Sequence, residues 1–135
     1  MKIFSSLVGF CASAAAISVS FDSGYDERER GLDTVSCSDG SHGLLTRGYT
    51  TQSSLPSFPR IGGTSFINGW NSASCGSCWT LSYNGSSIDV LAMDRATDGF
   101  NIARAAMEKL AGSAGVAMGR IEATYAETNA SACGI

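Results

Sequence analysis

Several things are scarce in this chain of 135 residues, and each scarcity closes off a class of function. There is one histidine, His42, and one close cysteine pair, Cys75 and Cys78. A four-ligand zinc site normally brings two close pairs or a spaced histidine partner, so no metal is expected. Charge is also sparse, at 16 % of residues, with nine Lys and Arg against twelve Asp and Glu and no basic run. An acidic chain of that kind is a poor match for nucleic acid or an anionic membrane surface, and a neutral partner suits it better. No apolar run reaches the ~20 residues of a bilayer span. There is no internal repeat and no linker, and large core side chains are few because much of the apolar fraction is alanine.

What is present begins with a leader pattern. Lys2, the apolar stretch "IFSSLVGFCASAAA" and the small residues Ala14, Ala15 and Ala16 read as a secretory signal peptide. Residues 1–16 are expected to be removed, leaving one domain over 17–135 in an oxidising compartment. Cys11 leaves with the leader, so Cys37, Cys75, Cys78 and Cys133 remain and are expected to form two disulfides. A Cys75–Cys78 bridge would close a strained small ring of the kind redox enzymes use, so two long-range arrangements stay open. One of them, Cys37–Cys75 with Cys78–Cys133, closes loops of about 38 and 55 residues and removes about 4 kcal/mol of unfolded-chain entropy apiece at most. Thiol-disulfide catalysis is disfavoured as well: "CGSCW" is followed by "TLSYNGSSIDVLAMD", which does not read as the helix such a motif opens.

The organisation is mainly β. "WTLSYNGSSIDVLAM" holds two strand-like runs around Asn84-Gly85, a dipeptide suited to the positive φ angles of a type I′ hairpin turn. Its second run, Ile88 to Met93, is apolar at nearly every position after Asp89, as in a barrel or sandwich strand covered on both faces. "GRIEATYAE" alternates like a strand with one solvated face, and "FDSGYD" and "LDTVSC" read as short strands. From Ile102 to Leu110 the apolar positions have helical spacing, with Asn101 as N-cap and Gly112 just past the end. That stripe reads as core. Residues 47–70 read as long loops with one short helix.

Seven pieces carry a family resemblance in order and spacing: "SFDSGYD", "SCSDGSHGLLTR", "LPSFPRIGG", "GWNSASCGSCW", "YNGSSIDVLAMD", "GFNIARAAMEKL" and the terminal "SACGI". Together with the four cysteines they make the chain resemble the cerato-platanin family of secreted fungal proteins. The resemblance implies a six-stranded double-ψ β-barrel with one or more short helices, similar to the first domain of expansins and to family 45 endoglucanases. It also implies the disulfides Cys37–Cys75 and Cys78–Cys133. Ala73 and Ser77 stand where the family pattern has Pro and Thr, and "DERERGLD" is more charged than usual.

Glycoside hydrolysis ordinarily needs two carboxyl groups across the scissile bond. Asp94, at the end of the second hairpin strand, is the best single candidate, at a position resembling the acidic residue of expansins. Asp39 can face the same groove and Asp98 is near in sequence, yet no residue matches a second catalytic acid. The resemblance therefore implies carbohydrate binding without catalysis or cofactor, while Asp94 has the alternative role of a loop carboxylate accepting backbone N–H bonds. A groove for neutral sugar needs polar groups and flat apolar faces. Tyr25, Asp39, His42, Tyr49, Trp70 and Asp94 can supply them, with oligomers of N-acetylglucosamine as the implied ligand. Trp79, beside the cysteine pair, reads as core. Asn84 and Asn129 lie in N-x-S sequons open to glycosylation. The expectation is a secreted, non-catalytic fungal protein of the extracellular space or cell wall that binds chitin-type polysaccharide, loosens wall contacts without cleavage, self-assembles at interfaces and meets a plant receptor as elicitor or phytotoxin. The alternatives are a weak glycosidase and a surface-active coat protein without sugar binding.

Overall fold

The computed structural model describes residues 15–135. The expected leader thus lies outside the described residues except for its last two, and Ala16 already stands in the first strand. Six strands close into a barrel: β1 Ala16–Phe21, β2 Ile61–Thr64, β3 Cys78–Tyr83, β4 Ser86–Arg95, β5 Phe100–Ile102 and β6 Arg120–Thr128. Around the ring the order is β1–β5–β2–β4–β3–β6. The β1–β5 and β2–β4 pairs are parallel and the other four are antiparallel. Closure leaves no free edge to recruit another chain. This is the six-stranded barrel that the resemblance implies.

The β3–β4 hairpin turns at Asn84 and Gly85, whose φ angles of 47° and 84° are the two positive values of a type I′ turn. Val90, Leu91, Ala92 and Met93 are all buried. The helix α1, Arg104–Met118, and the terminal turn Ala130–Cys133 both pack on β4, so its outer face is covered as well as its inner one. On β6, Ile121 and Ala123 point inward while Glu122 and Thr124 meet solvent. One end of the barrel is filled by Phe66, Trp79, Phe100 and Tyr125, with Phe66 stacked on Trp79 at 4.7 Å between centroids. Trp79 is 8 % exposed and belongs to the core, as its setting predicts.

Several local expectations need correction. Ile102 closes β5, so the helix starts two residues later, at Arg104. Its first turn is not capped by Asn101: the Asp26 carboxylate accepts from the Arg104 and Ala105 N–H groups at 2.7 and 3.0 Å. Gly112, at φ 70°, kinks the helix instead of ending it, and Gly119, at φ 80°, is the left-handed stop. "FDSGYD" and "LDTVSC" are not strands. Phe21 ends β1, and Ser23–Asp26 and Leu32–Thr34 are 3₁₀ turns, because Asp22 accepts from Gly24 N–H at 2.8 Å and the Thr34 hydroxyl donates to the Gly31 carbonyl at 2.8 Å. Residues 47–70 do contain the short 3₁₀ helix Gln52–Ser54, but also β2. Two glycines hide that strand. A side chain at Gly62 would run into the Asn101 carbonyl and come within 2.7 Å of the Ile102 Cα, so the β2–β5 contact requires a bare backbone.

Cys37 is bonded to Cys75 and Cys78 to Cys133, with Cα separations of 5.5 and 5.8 Å. The close cysteine pair is a junction between two covalent loops.

Candidate functional site

Asp94 stands at the outer end of β4, just past the buried run that fixes the strand. Its Oδ1 accepts from the Ser36 and Arg95 backbone N–H groups, both at 2.9 Å, and its Oδ2 accepts from the Tyr25 hydroxyl at 2.8 Å. Three donors from the chain occupy most of the acceptor capacity of a carboxylate, so Asp94 organises the site as much as it faces it. Tyr25 is 5 % exposed, and the Arg30 guanidinium lies 5.5 Å from its ring centroid. Its ring is therefore closed to stacking, and its part is to orient Asp94. Burial, then the Asp94 charge and hydrogen bond, push the Tyr25 phenol far above its ordinary value, outweighing Arg30.

A second cluster is built from two loops. Asp39 follows Cys37, and Trp70 precedes Cys75, so the Cys37–Cys75 bridge holds both loop bases together. The Trp70 indole N–H donates to Asp39 Oδ1 at 2.6 Å, while the ring itself is 62 % exposed. That bond first, then local backbone and Ser38 hydrogen bonds, hold the Asp39 carboxyl below its ordinary value. Asn71, in the left-handed region at φ 59°, accepts the His42 N–H on its side-chain oxygen at 2.8 Å and faces His42 Nδ1 with its carbonyl at 3.1 Å. Since a carbonyl only accepts, Nδ1 is the donor of that contact. Gly40, at φ 84°, lies so close beneath Trp70 and Asn71 that a side chain there would meet Asn71 Oδ1 at 2.6 Å. The two loops thus fit as one unit.

The clusters are neighbours in the chain and in hydrogen bonding. Cys37 N–H donates to the Met93 carbonyl at 3.2 Å, and Arg95 Nη1 reaches the Asn68 carbonyl at 3.3 Å, so the strand carrying Asp94 is tied to both site loops. Tyr49 is half-buried against the core, and no hydrogen bond joins it to either cluster among the described residues. Asn84 and Asn129, the sequon residues, are both exposed. Asp98 lies away from Asp94, against Arg120 at 3.5 Å. Among the described residues no group of three or more His, Cys, Asp and Glu is placed to hold a metal.

Sequence reasoning missed Asn71, Arg30 and the Ser36 amide. The Asn71 signal was available, as an Asn following Gly-Trp in a turn-rich stretch, and Arg30 sits in the unusually charged "DERERGLD". Within that stretch Asp26 caps the helix and Arg28 lies 5.5 Å from the Phe58 ring, so its extra charge also has structural uses.

Residues 17–135 match the family model described as Cerato-platanin. The chain is similar to allergen Asp f 15 of Aspergillus fumigatus, 46 % identical over 120 residues, which is 89 % of this chain and 78 % of that protein. The crystal structure of cerato-platanin 2 from M. perniciosa is 41 % identical, with a TM-score of 0.85 over 90 % of this chain and 100 % of that one. The solution structure of the fungal elicitor Cerato-Platanin is 37 % identical, with a TM-score of 0.77 over 87 % and 96 % of the two chains. With the family model matched from residue 17 to residue 135, and with barrel and disulfides to correspond, the chain belongs to the cerato-platanin family.

Proposed function

We propose that this is a secreted, non-catalytic fungal protein that binds chitin-type N-acetylglucosamine oligomers at the cell wall and is perceived by plants as an elicitor or phytotoxin. The observation that carries this reading is the Trp70–Asp39 pair: a broad indole face open to solvent, its rotation fixed by a hydrogen bond of 2.6 Å to a carboxylate. A flat apolar face for a sugar ring, beside acceptors for hydroxyl and acetamide N–H groups, is the combination such a ligand requires. Binding without hydrolysis is supported by the carboxylates. A proton donor needs a raised pKa, whereas the Asp39 carboxyl is lowered. The Asp94 oxygens are engaged in hydrogen bonds from three donors of their own chain.

Secretion is supported by the leader pattern of residues 1–16 and by two disulfides, which belong to oxidising compartments. The elicitor role is supported by the similarity to the fungal elicitor Cerato-Platanin. Wall loosening, by displacing polysaccharide contacts without cleavage, is part of the same reading. The exposed Phe66, Trp70 and Met118 favour a second reading, a surface-active coat that self-assembles at interfaces. Chemical-shift mapping with N-acetylglucosamine oligomers, together with a reducing-end assay, tests the first. Shifts at the Trp70 indole and around Asp94 with no new reducing ends are expected. Released ends that disappear in Asp94→Asn would establish a glycosidase instead, and lowered surface tension with no shifts would establish the coat.

A further inference from the structure

The register of the barrel places a polar row on its outer surface. Ser20 on β1 is paired with Asn101 on β5 and with Arg120 on β6, and Asn101 continues through Gly63 on β2 to Asp94 on β4. The strand neighbours Val19, Phe100, Ile102 and Ile121 are buried, so Ser20, Asn101 and Arg120 point out together. With Arg95, Ala96, Thr97 and Asp98 they line a cavity of about 380 Å³.

The electrostatics of this cavity run against those of the chain. The protein as a whole carries a net charge of −3, yet two arginines, Arg95 and Arg120, line this cavity against a single carboxylate, that of Asp98. The Arg95 guanidinium bonds no carboxylate among the described residues and reaches the Asn68 carbonyl at 3.3 Å. Arg120 donates to the Ser18 hydroxyl and meets one carboxylate, that of Asp98, at 3.5 Å with side-chain exposures of 53 % and 73 %. Such an exposed pair is weak and readily exchanged. Ser20 donates to Asn101 Oδ1 at 3.1 Å, and both residues line the cavity.

We propose that this cavity is a second saccharide subsite that takes a uronic-acid residue. The sugar carboxylate displaces Asp98 and lies between the Arg95 and Arg120 forks, whose planar geometry suits a carboxylate, while Asn101 and Thr97 meet ring hydroxyls. The subsite differs in ligand class from the neutral-sugar site proposed at Trp70 and does not depend on it.

The test titrates the full disulfide-bonded protein with a galacturonic-acid oligomer and with its methyl ester, following side-chain amide and guanidinium resonances. The acid oligomer is expected to shift Asn101 and Arg120, and the ester to bind about tenfold or more weakly through loss of charge-assisted bonds. Arg120→Gln and Arg95→Gln should weaken acid binding by about tenfold each, and Asp98→Asn should strengthen it a few-fold. Glu29→Gln, an equal charge change at a distant exposed position, should leave it unchanged, and so should Trp70→Ala. Equal binding of acid and ester, equal effects of Asp98→Asn and Glu29→Gln, or shifts confined to residues outside the row would overturn the proposal. Loss of acid binding in Trp70→Ala would overturn the claim of a separate subsite, whereas failure of neutral oligomers to bind would leave the uronate result standing and remove only the chitin-type reading.

Discussion

Removing one disulfide or the other should separate stability from site geometry. The bridges span 38 and 55 residues, so paired Cys→Ser changes at Cys37 and Cys75, or at Cys78 and Cys133, should cost about 4 kcal/mol each by chain entropy, differing by only about 0.3 kcal/mol. A small domain holds roughly 5–15 kcal/mol in all, so both variants should remain folded when cold, with Tm values lower by about 15 °C. Their effects on sugar binding should differ. Only Cys37–Cys75 joins the loop bearing Asp39 to the loop bearing Trp70, and freeing those two side chains should cost about 1–3 kcal/mol of ordering on binding, around tenfold in affinity. Circular dichroism on heating gives the first quantity, and titration with N-acetylglucosamine oligomers well below the lower Tm gives the second. The Cys78/Cys133 variant should bind within about twofold of the parent, because its bridge ties β3 to the terminal turn away from the site. Equal affinity losses in the two variants, or none in the Cys37/Cys75 variant, would refute the reasoning.

Tyr25→Phe deletes one of the three donors to Asp94 and should lower stability by about 1–3 kcal/mol in urea unfolding, with a loss near zero contradicting the role given to that hydroxyl. The Asp39 carboxyl is lowered chiefly by the Trp70 indole bond, so that contact is complete above the ordinary value of 3.8 and is lost as pH falls through the depressed one. The Trp70 Nε1–H resonance should accordingly stay level down to that value and move only below it; a midpoint above 3.8 would reverse the assignment. Asp26→Ala strips the helix of its acceptor and should cost about 1 kcal/mol, with Asp26→Asn recovering part, as chemical denaturation would report.

The features legible in sequence were those whose causes are local or covalent. Asn84-Gly85 announced its own turn, and the unbroken apolar run of β4 announced a strand covered on both sides. Trp79 could be assigned to the core from its setting, and the cysteine frame carried the family resemblance. Where partners are distant the sequence was silent. The helix start depends on Asp26, 78 positions from Arg104, and without that contact Ile102 fits the helical period as well as the strand it occupies. Strand β2 is invisible by propensity because close packing against β5 demands glycine at Gly62. Of the six candidate site residues, Asp39, His42 and Trp70 share a loop cluster and Tyr25 bonds Asp94, but the buried ring of Tyr25 and the core-packed position of Tyr49 depend on tertiary contacts that composition does not encode.

In the proposed function the Cys37–Cys75 bridge presents the Trp70 ring, pinned by Asp39, as the platform for a sugar. Intermolecular nuclear Overhauser contacts between an N-acetylglucosamine oligomer and the folded protein test it most directly. Contacts from the sugar's ring C–H face to the Trp70 indole are predicted. Saturable binding whose contacts fall instead on Phe66 and Tyr125, or anywhere that leaves the Trp70 ring silent, would contradict the account.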